Sequence, residues 1–250
     1  MFSLKGKTAL LSGGSGFFGP YFAAVLKEAG ATVITAGREG DYPVDYYDER
    51  ETHARYESIL REHRIDILVN NAFDFSKKTG FNDPSGRIER MTRAQFAASM
   101  ESGVYWAERA TQVFGIPMRE HGGSIINICS MYAVVVPSPD LYEGTDKFNP
   151  PGYSASKAAL LQFTRYSASF LGPKVRVNAI SPGAIPNLET ATFNAPKPDD
   201  PILRRLTEKT ILKRLGHPSD LVGALVFLAS DASSYMTGQN VIIDGGLTVL

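Results

Sequence analysis

Six short apolar runs rich in β-branched residues recur along the chain, at 8–11, 32–35, 67–69, 124–128, 175–180 and 240–243. Runs of this kind are what strands look like when a parallel sheet buries both of their faces. Between most of them lie stretches with helical periodicity, at 20–29, 49–62, 92–119, 154–171 and 218–229. This alternation restricts the chain more than any other feature. It predicts an α/β fold, with one doubly wound parallel sheet carrying helices on both faces. No linker, repeat or low-complexity tract divides the sequence, so residues 1–250 are expected to form one domain. The least regular stretch, 187–200, is expected to be a mobile loop before a short helix at 201–212.

The first run leads straight into "SGGSGFFG" and then into the first helix, placing Gly13, Gly16 and Gly19 in a G-x-x-G-x-x-G pattern. A glycine turn in that position lets the backbone approach a pyrophosphate. The following helix points its free N–H groups at the phosphates. A dinucleotide-binding Rossmann domain is therefore expected. The second run ends "VITAGRE". An acidic residue at that tip would bond a ribose 2′-hydroxyl, whereas an arginine accommodates a 2′-phosphate. Gly37 leaves room and Arg38 supplies a permanent cation, so NADP(H) is expected, with NAD(H) as the alternative. Asp45 and Tyr46, in "PVDYYD", are expected on the adenine side.

"YSASK" places Tyr153 one helical turn before Lys157, at the start of an apolar run. An ammonium held near a phenol favours the phenolate and so lowers the phenol's pKa. The pair is a candidate proton donor and acceptor.

The motifs "SGGSGFFG", "DILVNNA", "SIINICS", "YSASKAAL", "VRVNAISPG" and "SSYMTGQNVIIDGG" occur in this order. In this the whole chain resembles the short-chain dehydrogenase/reductase family. The resemblance implies hydride transfer between a nicotinamide cofactor and a carbonyl or alcohol carbon, in a homotetramer or homodimer. It implies that Tyr153 is the acid/base and that Ser130 bonds the substrate oxygen. Lys157 would lower the tyrosine's pKa and bond the nicotinamide ribose. Ser15 and Phe18 would join the glycine turn. Asn70, Asn71, Ala72 and Phe73 would line the adenosine side, and Pro182, Gly183 and Ile185 would pass near the nicotinamide.

The chain departs from the family's pattern in several places. Its glycine spacing is the form of the longer, epimerase-like branch. Phe73 replaces a glycine. Met100 stands where an asparagine commonly helps hold a proton-relaying water. Ser99 or Ser102 would substitute, or the proton would leave another way, or turnover would be slow. Segments 74–86, 137–152 and 187–212 are expected to build the substrate side. Their Lys77, Lys78, Tyr142, Glu143, Lys197, Arg204 and Arg205 suit a polyol, a phosphate or a nucleotide. The stretch around Ser130 and Tyr153 is similar to bacterial sugar-modifying members, including flagellin-modification oxidoreductases. A sugar or nucleotide-sugar substrate is therefore expected. An epimerase or dehydratase, or a non-catalytic regulatory protein, are the competing readings.

Composition narrows the partners. Lys and Arg together number 26, as do Asp and Glu, so no global field draws nucleic acid or an anionic membrane. No apolar run reaches membrane-spanning length, and a cytoplasmic location is expected. The single cysteine, Cys129, and the four scattered histidines predict neither a disulfide nor a metal site.

Overall fold

Leu10 and Leu11 are adjacent in the chain and lie in different cores. Both belong to a strand whose side chains alternate across a sheet that is covered on each face. The structure, a computed structural model, describes residues 1–187 and 200–250. Among these, the strands are β1 (Thr8–Ser12), β2 (Thr32–Gly37), β3 (Tyr42–Pro43), β4 (Ile67–Asn70), β5 (Gly123–Ile128), β6 (Val175–Pro182) and β7 (Asn240–Ile243). They form one seven-stranded sheet in the order β3-β2-β1-β4-β5-β6-β7, and every pairing is parallel. The single-domain, doubly wound α/β expectation is met. β3 is the addition: it has two residues, paired with Ala36 and Gly37 of β2, too few for any periodicity to signal.

The helices are α1 (Gly19–Glu28), α2 (Glu49–Glu62), α3 (Arg93–Met100), α4 (Trp106–Ala110), α5 (Ile116–His121), α6 (Pro151–Leu171), α7 (Pro201–Lys209) and α8 (Ser219–Ala229). α1 and α8 cover one face, where Phe22, Leu26, Leu221 and Leu225 bury Leu11, Ile67, Val69 and Ile126. α2, α4–α6 and the turns between them cover the other, where Tyr56, Phe114, Met118 and Leu171 bury Leu10, Leu68, Ile125 and Val177.

Three helices differ from expectation in ways that shape the site. The expected helix 92–119 opens on a capping box, with Thr92 and Gln95 bonding each other's backbone N–H. It then loosens twice, in π-helical turns at Glu101–Tyr105 and Thr111–Gly115 that join α3 to α4 and α4 to α5. α6 begins at Pro151 rather than 154, because Pro150 and Pro151 carry the φ that a cap and first helical position require. Tyr153 therefore sits inside the first helical turn. α7 stops at Lys209, where Thr210 turns extended, short of the expected 212. Most of the expected loop at 187–200, with Lys197, lies outside the described residues.

Candidate active site

The sheet order reverses between β2-β1 and β4-β5, so connections leave the C-terminal edges of β1 and β4 in opposite directions and open a crevice there. Ser12 ties its two lips together. Its hydroxyl accepts from the N–H groups of Asn71 and Ala72 at 3.0 and 3.1 Å, and donates to the Val69 carbonyl. The Asn71 amide donates to the carbonyls of Ser12 and Gly13. Gly13 has a φ of +67°, and a Cβ there would lie 3.0 Å from the Ala72 backbone. The glycine turn and "NNA" are thus one unit, and any side chain at Gly13 would pry it open. Beyond it, Gly16 and Gly19 donate to the carbonyls of Gly13 and Gly16. α1 begins there with no side-chain cap: the Gly19 N–H donates to Gly16, Pro20 has no N–H, and the Phe22 N–H donates to the Phe18 carbonyl, so the helix's positive end faces the crevice as a dipole.

The residues present fit a dinucleotide. Ser15 and Gly16 are exposed at the tip of the turn, and Gly37 ends β2 beside Gly13. Arg38 is exposed one residue beyond. Asp45 is exposed, and one of its carboxylate oxygens accepts from the Tyr47 N–H. Tyr46 is a correction. It is buried, donates to the Ala36 carbonyl at 3.0 Å and packs on Trp106. Pairing of β3 with β2 turns its side chain under the sheet, away from any ligand on the adenine side. Phe18 also points its ring inward, against Phe22. Pro182 ends β6, Gly183 donates to the Ile243 carbonyl, and Ile185 packs against the α1–α8 core. Asn70 is buried and donates to Asn127 at 2.8 Å, a sheet-internal bond that takes it away from the crevice. Its neighbour Asn71 meets the glycine turn instead.

At the ends of β5 and α6 the structure brings Ser130, Tyr153 and Lys157 together. The Ser130 hydroxyl accepts from the Tyr132 N–H at 3.1 Å and lies close enough to the Tyr153 phenol to pull its pKa down. Lys157 is 4% exposed, and its ammonium donates to the Ile128 carbonyl at 2.9 Å. Burial pushes the Lys157 ammonium down to about 8. Burial also pushes the Tyr153 phenol up to about 12, against the opposing pull of the Ser130 hydroxyl. The expectation that Lys157 leaves the phenol with a lowered pKa is thereby corrected: desolvation is the larger effect. Cys129 is buried, and its thiol is pushed up to about 12, which leaves it a core residue. Ser99 donates to the carbonyls of Thr79 and Gln95, and Ser102 to that of Ala98. Those bonds tie both hydroxyls to the backbone of their own side of the fold.

Sequence reasoning missed what surrounds the phenol. The Tyr153 ring lies 5.1 Å from Phe73, 5.5 Å from Phe81, 5.9 Å from Phe75 and 6.5 Å from Tyr132. Three phenylalanines within nine residues of "NNA" were the available signal. Next to them the Tyr47 hydroxyl donates to Asp74 at 2.8 Å, and the Lys78 ammonium stands 3.1 Å from the centre of the Tyr47 ring. Lys78 thus joins the segment after β4 to the segment after β3. Arg205 donates to the carbonyls of Leu141 and Glu143, while Lys147 pairs with Asp200 and Lys209 with Asp140. These bonds fasten 137–152 to α7.

Residues 21–248 match a family model described as enoyl-(acyl carrier protein) reductase. A sorbose reductase of Schizosaccharomyces pombe is 31% identical, over 98% of this chain and 97% of that protein. The structure of a short-chain dehydrogenase from Leptospira borgpetersenii with bound NAD+ is 30% identical with a TM-score of 0.82, covering 98% of this chain and 93% of that one. A gluconate 5-dehydrogenase from Burkholderia cenocepacia, in complex with NADP and tartrate, is 25% identical with a TM-score of 0.83, covering 100% and 98%. No helix among the described residues is long and apolar enough to cross a membrane.

Proposed function

This chain belongs to the short-chain dehydrogenase/reductase family, and from that premise we propose that it is an NADP(H)-dependent oxidoreductase acting on a carbonyl or alcohol carbon of a polar substrate. An NAD(P)-dependent oxidoreductase is what the family gives. One observation carries the rest: a phenol, a hydroxyl and an ammonium, from Tyr153, Ser130 and Lys157, converge beside the dinucleotide crevice.

A nicotinamide, when bound, supplies or accepts the hydride. The chain's own residues handle the oxygen. Tyr153 gives its phenolic proton to the carbonyl oxygen in reduction, or takes one from the alcohol in oxidation. Ser130 bonds the same oxygen and stabilises the charge that develops on it. Lys157 holds positive charge behind the phenol and bonds the nicotinamide ribose. Gly13, Ser15 and Gly16 hold the pyrophosphate, with the positive end of the α1 dipole behind it. Asn71, Ala72 and Asp45 line the adenosine side, and Pro182, Gly183 and Ile185 bound the nicotinamide side. Arg38, exposed and followed by no helix, holds the 2′-phosphate in the favoured NADP(H) case. NAD(H) is the alternative, and structural relatives carry one or the other.

Segments 74–86 and 137–152, with α7 and the turn after it at 200–212, form the substrate side; the rest of the expected 187–212 segment lies outside the described residues. A sugar or nucleotide sugar is the favoured class, supported by the sorbose and gluconate relatives and by the Tyr132 ring that stands 6.5 Å from that of Tyr153. A homo-oligomer, tetramer or dimer, is part of this reading. Tyr166 and Phe170 of α6, stacked at 6.3 Å and 65% and 53% exposed, support it. A cytoplasmic location belongs to the same reading, alongside the lone reduced thiol of Cys129.

The test measures NADPH and NADH binding by fluorescence and then turnover on a panel of sugars, sugar acids and simple ketones by nicotinamide absorbance. Turnover with NADPH on polar ketones is expected. Tight cofactor binding with no turnover across the panel would favour the regulatory reading, which the aromatic wrapping of Tyr153 also fits.

A further inference from the structure

Lys157 poses a problem of charge. It is almost wholly buried, and among the described residues no carboxylate lies within ion-pair distance of it. A buried ammonium without a counter-charge is costly unless other groups replace the water it has lost. It has three N–H donors, and the Ile128 carbonyl takes one. The next partner is a ring: the ammonium stands over the face of Phe73, 5.0 Å from its centre. That is within the range in which the negative face of an aromatic ring attracts a cation. The same ring meets Tyr153 at 84° with centres 5.1 Å apart, the edge-to-face geometry aromatic pairs favour.

The backbone is built to admit this ring. Gly103 lies in the first π-turn of the central helix, and a Cβ there would approach the Phe73 ring to 3.3 Å and the Ser156 side chain to 2.2 Å. The missing side chain lets α6 and Phe73 close on the helix together. Phe75 and Phe81 brace the ring from behind, at 4.7 and 6.1 Å.

We infer that Phe73 is a positioning residue for the catalytic pair: its face supports the charged form of Lys157 while its contact with Tyr153 fixes the phenol ring beside it. This rests on the reading of Tyr153 and Lys157 as the acid/base pair. The other groups facing the pair are Cys129 and Ser130 at the end of β5, Tyr132 in the following turn, and Tyr142 from the next segment, with Arg165 acting on Cys129 from α6. None is a carboxylate, so no ion pair masks the effect of the ring.

The test titrates the full-length protein carrying 13C-labelled lysine side chains, read by NMR, with Lys157→Gln to assign the signal. Phe73→Leu removes the ring face and should lower the midpoint of Lys157 by about half a pH unit or more. Phe73→Tyr keeps the face and should hold the wild-type midpoint. Pentafluorophenylalanine at position 73 keeps the shape and reverses the charge of the face, so it should lower the midpoint as leucine does. It also decides the matter if Phe73→Leu does not fold. In alcohol oxidation, the rising limb of the pH profile should move to higher pH in the same two proteins, because a less charged lysine favours the phenolate less. A midpoint unmoved by leucine and by the fluorinated ring overturns the proposal. Turnover that survives Tyr153→Phe would sink the catalytic reading instead, while the titration still reports whether Phe73 supports the ammonium.

Discussion

The ammonium of Lys157 stands 5.9 Å from the centre of the Tyr153 ring, and burial drives the two groups toward the same condition. The lysine is pushed down to about 8 and the phenol up to about 12. Near neutral pH the lysine is still charged and the phenol still holds its proton. The site is therefore set to give a proton, which is what carbonyl reduction requires.

A pH dependence follows. Carbonyl reduction, followed as kcat/KM, should fall as pH rises through about 8, where Lys157 loses its charge, while Tyr153 is still protonated. A profile that stays flat until the phenol itself titrates would contradict this assignment.

Lys157 should also lower stability. Its folded value, about 8, lies below the ordinary 10.5, so between these values the unfolded chain binds the proton more tightly. Stability then rises with pH across that window, and the burial cost is fully present below it. At about 1.4 kcal/mol per pH unit, Lys157→Met should gain on the order of 3 kcal/mol at neutral pH. The gain should shrink as pH approaches the upper end of the window. Denaturant unfolding at both ends checks this, and turnover should be lost in the same variant.

Ser130→Ala removes one bond to the substrate oxygen and should slow hydride transfer roughly 10²-fold. It also removes the acceptor for the Tyr132 N–H, at a cost of about 1 kcal/mol of stability. Single-turnover rates and urea melts separate the two effects.

Arg38→Ala should weaken NADPH by roughly tenfold or more, the range of a lost charge-assisted bond, and leave NADH almost unchanged. Parallel fluorescence titrations with the two nucleotides decide it. Equal losses on both would remove Arg38 from the 2′-phosphate.

The sheet was legible because a strand buried on both faces writes itself as a dense run of Ile, Val and Leu, as at 124–128. The glycine turn was legible because it needs residues without side chains in fixed places. Other features depend on contacts the letters do not carry. Whether Tyr46 faces a ligand or the core depends on a two-residue strand pairing. The π-turns at 101–105 and 111–115 carry no local signature, since they answer to what packs against the helix. Phe73 was visible as a departure, but its place between Lys157 and Tyr153 depends on Gly103 and on the course of the loop after β4. The raised phenol depends on burial, a property of the whole fold.

The most direct measurement is single-turnover hydride transfer in wild-type protein and in Tyr153→Phe, at equal cofactor saturation. Loss of the phenolic proton donor should slow the step by roughly 10²–10⁴-fold while nucleotide affinity holds. A variant that transfers hydride at the wild-type rate would mean that the oxygen takes its proton from elsewhere and that Tyr153 is not the acid.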